Sequence, residues 1–266
     1  MKITVPSRNR RGTGFFVAPG LLLTCAHVVY DAPEQKVEVF WPKNKTTHLA
    51  TVCGIPSNIP SEFKAFDVAL LKIEEPIPEH LCVYLDAATT PGDEDIKSND
   101  LFFSYGYLED YPSGAGVTAE SEWFTGDDPP LIKFKDSKIQ GGLSGGALLN
   151  LRTGRICGIV KETRSKIFPE GGGAVPISVA YQQFLHLVDL NKLQKDFHQR
   201  NDTWRNLLPL TSIARRLNRD VTQFIGRTET TVSTKKMDIR RYSVFSPNCD
   251  MGYGGCWKDW FSNQTN

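Results

Sequence analysis

The chain has 266 residues, a formal net charge of +1 and 40% apolar residues. This length and apolar content allow a sizeable core and argue against a chain without stable structure. The near-neutral charge gives no reason to expect a nucleic acid or a membrane surface as a partner.

The N-terminal sequence MKITVPSRNRRGTG lacks the apolar segment of a secretory signal. The sequence contains no run of about 18 apolar residues, the length that would predict a membrane-spanning helix. We therefore expect a cytoplasmic protein whose six cysteines are reduced.

Residues 1–178 are predicted to form short strands separated by turns. Apolar segments such as GTGFFVA, LLLTCAHVV, DVALLKI and GRICGIVK are punctuated by turn sequences such as APG, TPGD and YPSG. Many short strands with such turns are typical of a β-sandwich or of paired β-barrels.

The pattern changes near Ser178, which is the expected N-cap of a helix with apolar residues at helical spacing from 179 to 190. A second amphipathic stretch follows and ends near Pro209. The rest of the basic C-terminal part is polar and irregular, and it could bind a partner protein. Cys249 and Cys256 lack the further ligands that a structural zinc site needs, so no metal is predicted there.

Three local motifs occur in a fixed order: LLLTCAHVV with His27, FKAFDVALLKI with Asp67, and QGGLSGGALLN with Ser144. A serine hydroxyl becomes a good nucleophile when a neighbouring imidazole takes its proton. Asp67 lies in an apolar segment, where a carboxylate is costly unless it is paired, and an imidazole would be a suitable partner.

The glycines around Ser144 predict a tight turn. Glycine permits backbone conformations that aim several N–H groups at one point. We expect the N–H groups of Gly142 and Ser144 to form an oxyanion hole, which stabilises the negative charge that develops during acyl transfer.

The three motifs resemble those of the trypsin-like serine peptidases of the chymotrypsin fold, in which the triad runs His, Asp, Ser. TGFFVAPGLLLTCAHVV and GLSGGALLNLRTGRICGIV are most similar to the bacterial HtrA-like and conflict-system peptidase domains. The resemblance covers residues 10–200 and implies a serine endopeptidase that acts on protein or peptide substrates, with no metal or cofactor.

The fold implied is all-β: a double antiparallel β-barrel with a C-terminal helix and an appended helical and irregular tail. We expect a peptidase domain over residues 1–190, with six-stranded barrels at about 1–90 and 98–178, and a tail over residues 191–266. The cleft between the barrels would hold the active site.

The chain also departs from the secreted trypsins. Leu143 stands where those enzymes carry an aspartate that pairs with a new N-terminus, so activation by zymogen cleavage is not expected. By the same resemblance the substrate pocket would include Lys138, Lys161, Thr163 and Gly173. A lysine at its base would disfavour substrates cut after Lys or Arg.

Two alternatives remain open from the sequence. One is a catalytically inactive trypsin-like module that binds peptides or partner proteins. The other is an esterase of the α/β-hydrolase type, which is disfavoured by the order of the motifs and by the lack of alternating strands and helices.

Overall fold

The computed structural model describes residues 1–56, 66–75, 80, 82–108, 110–138, 141–163 and 170–192. By its internal contacts the chain divides into two units, residues 1–228 and 229–266, and every described residue belongs to the first. Residues 193–266 lie outside the described residues, so the helical tail, its partner and the domain boundary at residue 190 stay predictions. Within the described part, no helix is both long and apolar enough to span a membrane.

The first half of the chain forms one antiparallel sheet with the strand order β2-β1-β5-β6-β7-β4-β3. Its strands are β1 (Lys2–Val5), β2 (Arg10–Thr13), β3 (Phe15–Ala18), β4 (Leu21–Thr24), β5 (Lys36–Trp41), β6 (Thr46–Gly54) and β7 (Ala69–Ile73).

Side-chain alternation explains how these strands face their core. In β5 the side chains of Val37, Val39 and Trp41 are buried, whereas Lys36 and Glu38 are exposed. Successive side chains of a strand point to opposite faces of a sheet. At β5 the sheet therefore presents an apolar face to its interior and a polar face to solvent, whereas β3 and β4 are buried on both faces.

The second half forms a closed six-stranded barrel with the order β10-β13-β12-β11-β8-β9. Its strands are β8 (Leu101–Gly106), β9 (Ala115–Phe124), β10 (Ile132–Lys138), β11 (Ala147–Asn150), β12 (Arg155–Thr163) and β13 (Glu170–Pro176). Phe102 and Phe134 are fully buried at its centre, and their rings meet edge to face with centroids 6.4 Å apart.

The all-β double-barrel fold expected from the sequence is confirmed, with one difference in the first half. The described residues form seven strands there rather than six, and the two end strands β2 and β3 are not paired with each other. The two strands follow one another with only Gly14 between them, a connection too short for them to pair side by side, so β2 pairs with β1 and β3 pairs with β4.

A short helix, α2 (Ile177–Gln183), follows the second barrel. The prediction that Ser178 is its N-cap is wrong, because the helix begins at Ile177 and Pro176 occupies the N-cap position. The main-chain N–H and the hydroxyl of Ser178 instead donate to the buried carboxylate of Glu94. The side chain of Glu94, from a distant loop, thus accepts a hydrogen bond from a main-chain N–H in the first turn of the helix.

A buried carboxylate holds the start of β8 against the turn after β11. Asp100 is 7% exposed and accepts hydrogen bonds from the Lys97 N–H, the Asn150 amide and the Arg152 guanidinium, each at 2.8 Å. Burial raises the pKa of Asp100, but the hydrogen bonds from Arg152, Lys97 and Asn150 outweigh it and hold the pKa below its usual range.

We predict that Asp100→Asn lowers the free energy of unfolding at pH 7 by about 1.5–3 kcal/mol, because hydrogen bonds to a charged group are lost. A depressed carboxyl pKa stabilises the fold above the unfolded value, near 3.9, and this contribution disappears as the pH falls through the folded value. The difference between variant and wild type should therefore shrink below about pH 4 in urea unfolding curves. The control is Asp95→Asn, whose side chain is 52% exposed and also pairs with Arg152, and its cost should stay under about 1 kcal/mol. A pH-independent difference for Asp100→Asn would contradict this assignment.

Candidate active site

His27 lies on a single helical turn, α1 (Ala26–Val29), directly after β4. The predicted strand LLLTCAHVV therefore ends at Thr24, two residues before this turn. The Arg10 guanidinium donates to the His27 carbonyl at 3.1 Å and is itself held by the Asp31 carboxylate at 2.6 Å. The main chain that carries the imidazole is thus fixed from outside the turn.

Asp67 lies just before β7, at the end of the sheet nearest to His27. The strand expected at DVALLKI begins only at Ala69, two residues after Asp67. Its carboxylate is fully buried and accepts two hydrogen bonds from His27: one from the main-chain N–H at 2.9 Å and one at Nδ1 at 2.6 Å. Because Nδ1 donates to the carboxylate, Nε2 is the ring nitrogen left to accept a proton.

Cys25 packs beside this pair. Its thiol is fully buried and donates to the Val160 carbonyl at 3.3 Å. Burial, and then the Asp67 carboxylate, raise the pKa of this thiol well above its usual range. The thiol therefore stays protonated, which makes it unsuitable as a nucleophile.

Cys25, His27 and Asp67 bring three possible metal ligands within 4.8 Å of one another. The 2.6 Å separation of His27 Nδ1 and the Asp67 carboxylate is that of a direct hydrogen bond. An ion between these two atoms would have to break that bond. The arrangement fits a paired acid and base better than a metal centre.

Ser144 lies on a tight turn between β10 and β11. Gly142 and Gly145 have φ values of +94° and +86°. A Cβ atom at Gly142 would lie 2.1 Å from the Tyr107 carbonyl oxygen, and one at Gly145 would lie 2.1 Å from the Thr13 carbonyl oxygen. Glycine is required at both positions because other residues would be strained and would clash.

The side chain of Leu143 packs this turn against the second barrel. Its side chain is fully buried in the core of the second barrel. Its carbonyl accepts a hydrogen bond from the Gly146 N–H at 2.8 Å. The turn is therefore held by apolar packing at Leu143.

The Ser144 hydroxyl donates to the main-chain carbonyl of Lys161 at 3.0 Å. Lys161 is the extra residue of a β-bulge, because Val160 pairs with Ala174 and Glu162 pairs with the next residue of β13, Gly173. Within the described residues, no hydrogen bond joins Ser144 to His27.

The main-chain N–H groups of Gly142 and Ser144, which the sequence predicts as oxyanion donors, lie on this turn. Neither the Gly142 N–H nor the Ser144 N–H donates to another residue in the part of the chain that the structure describes. The neighbouring Gly145 and Gly146 N–H groups are used, by the carbonyls of Val160 and Leu143. The first two N–H groups are therefore available for a ligand oxygen.

The four predicted pocket residues are described only in part. Lys161 is 7% exposed and Gly173 is buried on β13 opposite Lys133. The side chains of Lys138 and Thr163 lie outside the described residues. The pocket therefore stays a prediction.

Two contacts of the site were not anticipated from the sequence. Thr13 reaches the turn that carries Ser144, and Arg10 reaches the turn that carries His27. The only sequence signal for Thr13 is its place between two glycines in GTG, before the first apolar strand. Arg10 carries no signal, because its partners Asp31 and His27 follow it by 21 and 17 residues.

The double β-barrel, with a paired histidine and aspartate in one half and a serine on a glycine turn in the other, is the architecture of a trypsin-like peptidase. The family model of the trypsin-like peptidase domain matches residues 12–159, more than half of the chain. The chain belongs to this family. A sequence comparison with curated proteins found no match.

Solved structures of one protease are similar to this chain. The active form of the Rv3671c protease from M. tuberculosis is 23% identical, with a TM-score of 0.52, and the match covers 70% of this chain and 79% of that chain. A serine-to-alanine mutant of Rv3671c from M. tuberculosis H37Rv, in an inactive form, is 21% identical with a TM-score of 0.52, covering 70% and 84%. At these identities the likeness shows the shared fold.

Proposed function

We propose that this chain is a serine endopeptidase that hydrolyses peptide bonds through an acyl-enzyme, with Ser144, His27 and Asp67 as its triad. The observation that carries the proposal is the pairing of His27 with the fully buried carboxylate of Asp67 through two hydrogen bonds. A buried carboxylate paired in this way holds one imidazole tautomer and stabilises the imidazolium that forms during catalysis.

In the first step, the Ser144 hydroxyl turns from the Lys161 carbonyl to Nε2 of His27. The oxygen of Ser144 then bonds to the carbonyl carbon of the substrate while its proton passes to Nε2. The bond that the hydroxyl gives up is a neutral hydrogen bond of 3.0 Å, whose net contribution is about 1 kcal/mol. This rotation is therefore a small cost compared with the chemical step.

The tetrahedral intermediate carries a negative charge on the former carbonyl oxygen. The unused N–H groups of Gly142 and Ser144 are suited to donate hydrogen bonds to this oxygen. His27 then returns the proton to the leaving amine as the carbon–nitrogen bond breaks, which leaves an ester on Ser144. A water molecule, deprotonated by His27, hydrolyses this ester and restores the hydroxyl.

A second candidate is a catalytically inactive module that binds peptides or partner proteins in the same cleft. One observation favours it: the Ser144 hydroxyl is engaged by the Lys161 carbonyl rather than by His27. The two candidates differ in one measurable property, since only an activated serine reacts with a fluorophosphonate.

We predict that a fluorophosphonate probe labels the wild-type chain and that Ser144→Ala abolishes labelling, because the alanine has no oxygen to form the phosphonate ester. The control is Ser113→Ala, which removes a serine from an exposed turn and should label like wild type. Gel fluorescence measures labelling, and circular dichroism checks the fold of each variant. Labelling that persists in Ser144→Ala would reject this nucleophile, and a folded wild-type chain that never labels would favour the inactive module.

We also predict that cleavage occurs at least about tenfold less efficiently after Lys or Arg than after small apolar or acidic residues, because like charges repel in a desolvated cleft. The prediction rests on Lys138 at the expected pocket base, with Lys161 as an expected pocket residue whose main-chain carbonyl contacts Ser144. A peptide library measures the preference, and Lys138→Ala should remove any preference for acidic residues. A clear preference of the wild type for Lys or Arg before the cut would contradict this pocket assignment.

The four described cysteines, Cys25, Cys53, Cys82 and Cys157, are free thiols. Free thiols are typical of a reducing compartment and support the proposal that the protein acts in the cytoplasm. Its substrates would be proteins or peptides.

A further inference from the structure

Thr13, the last residue of β2, makes the main hydrogen-bonded link from the first sheet to the turn that carries Ser144. It is 3% exposed. Its N–H donates to the Ser144 carbonyl at 2.8 Å, and its hydroxyl donates to the Gly142 carbonyl at 2.8 Å. One residue of the first sheet thus holds two carbonyls of the nucleophile turn.

The direction of the Thr13 hydroxyl is fixed by a third contact. The main-chain N–H of Tyr107 donates to the hydroxyl oxygen at 3.2 Å. A hydroxyl has one proton to donate, and the incoming N–H occupies one of its lone pairs. The hydroxyl proton is therefore directed to the Gly142 carbonyl. Hydrogen bonds thus run continuously from the Tyr107 N–H through the Thr13 hydroxyl to the Gly142 carbonyl.

These contacts hold three successive carbonyls of the turn. Thr13 holds those of Gly142 and Ser144, and the Gly146 N–H holds that of Leu143. In a planar trans peptide the N–H points away from the carbonyl of the same unit, so a held carbonyl fixes the following N–H. The peptide between Gly142 and Leu143 lies between the two candidate oxyanion donors, and its orientation sets the angle between them.

We infer that Thr13 is a positioning residue whose hydroxyl sets the mutual orientation of the Gly142 and Ser144 N–H groups. The inference rests on the proposed function and names a residue outside the triad and the oxyanion hole on which the reaction depends. Thr13 acts through Gly142, and its own side chain is buried. Its loss should therefore weaken stabilisation of the developing oxyanion and leave ground-state binding of a substrate intact.

The test compares Thr13→Val, which keeps the shape and removes the hydroxyl, with Thr13→Ser, which keeps the hydroxyl. Reaction of each folded variant with a fluorophosphonate is followed over a range of probe concentrations, which separates the maximal inactivation rate from the half-saturating concentration. For Thr13→Val we expect the maximal rate to fall about 10- to 100-fold, since loosened donors cost less than a deleted one. We expect the half-saturating concentration to stay within about twofold, and Thr13→Ser to react like wild type.

The matched control is Thr24→Val. The Thr24 hydroxyl is also buried and donates to the Thr13 carbonyl at 2.8 Å, but it does not contact Gly142. Urea unfolding of both valine variants reports the structural cost alone. If Thr13→Val does not fold, Thr13→Ala removes the same hydroxyl and decides the matter.

The outcomes separate this inference from the proposed function. The positioning role is supported if the maximal inactivation rate falls in Thr13→Val but stays near the wild-type value in Thr24→Val and Thr13→Ser. Equal maximal rates for Thr13→Val and wild type, or equal losses in Thr13→Val and Thr24→Val, overturn it while leaving the peptidase proposal in place. A folded wild-type chain that does not react at all overturns both.

Discussion

The proposed active site depends on a carboxylate that has no access to solvent. Removing a charged group from water is costly unless it is paired and hydrogen-bonded, and Asp67 meets this requirement through His27. The two hydrogen bonds differ in effect: the one from the main-chain N–H fixes the position of the helical turn α1, and the one at Nδ1 fixes the ring and its tautomer. A single buried charge therefore leaves Nε2 as the ring nitrogen that would act as the base in the proposed reaction.

Ser144 lies in the second half of the fold, on a turn whose conformation does not depend on the pairing of His27 with Asp67. Leu143 is embedded in the barrel core, and Gly142 and Gly145 permit a turn that other residues could not form. Thr13 then joins this turn to the first sheet. In the proposed reaction the Gly142 and Ser144 N–H groups of this turn would serve as the oxyanion donors, and the Ser144 hydroxyl would leave the Lys161 carbonyl for His27.

The double-barrel fold and the proximity of His27 to Asp67 could be predicted, because strand alternation and short motifs are local properties of the sequence. The residues that failed prediction depend on contacts far along the chain. Ser178 looks like an N-cap, but Glu94, 84 residues earlier, satisfies its N–H. The inferred role of Thr13 depends on its contact with Gly142, 129 residues away. The early end of the strand before His27 could not be predicted, because the helical turn that follows has four residues, too few to show a helical period.

The most direct test of this account is the rate of fluorophosphonate labelling in Asp67→Asn. An asparagine would donate its amide hydrogen to Nδ1, which would place the ring proton on Nε2 and remove the base. The account predicts a labelling rate lower by about 10⁴-fold in a folded protein, as expected for a triad with the wrong tautomer. The control is Asp86→Asn, another buried acid, 2% exposed, which should label near the wild-type rate. A folded Asp67→Asn variant that labels as fast as wild type would contradict the central role of this carboxylate.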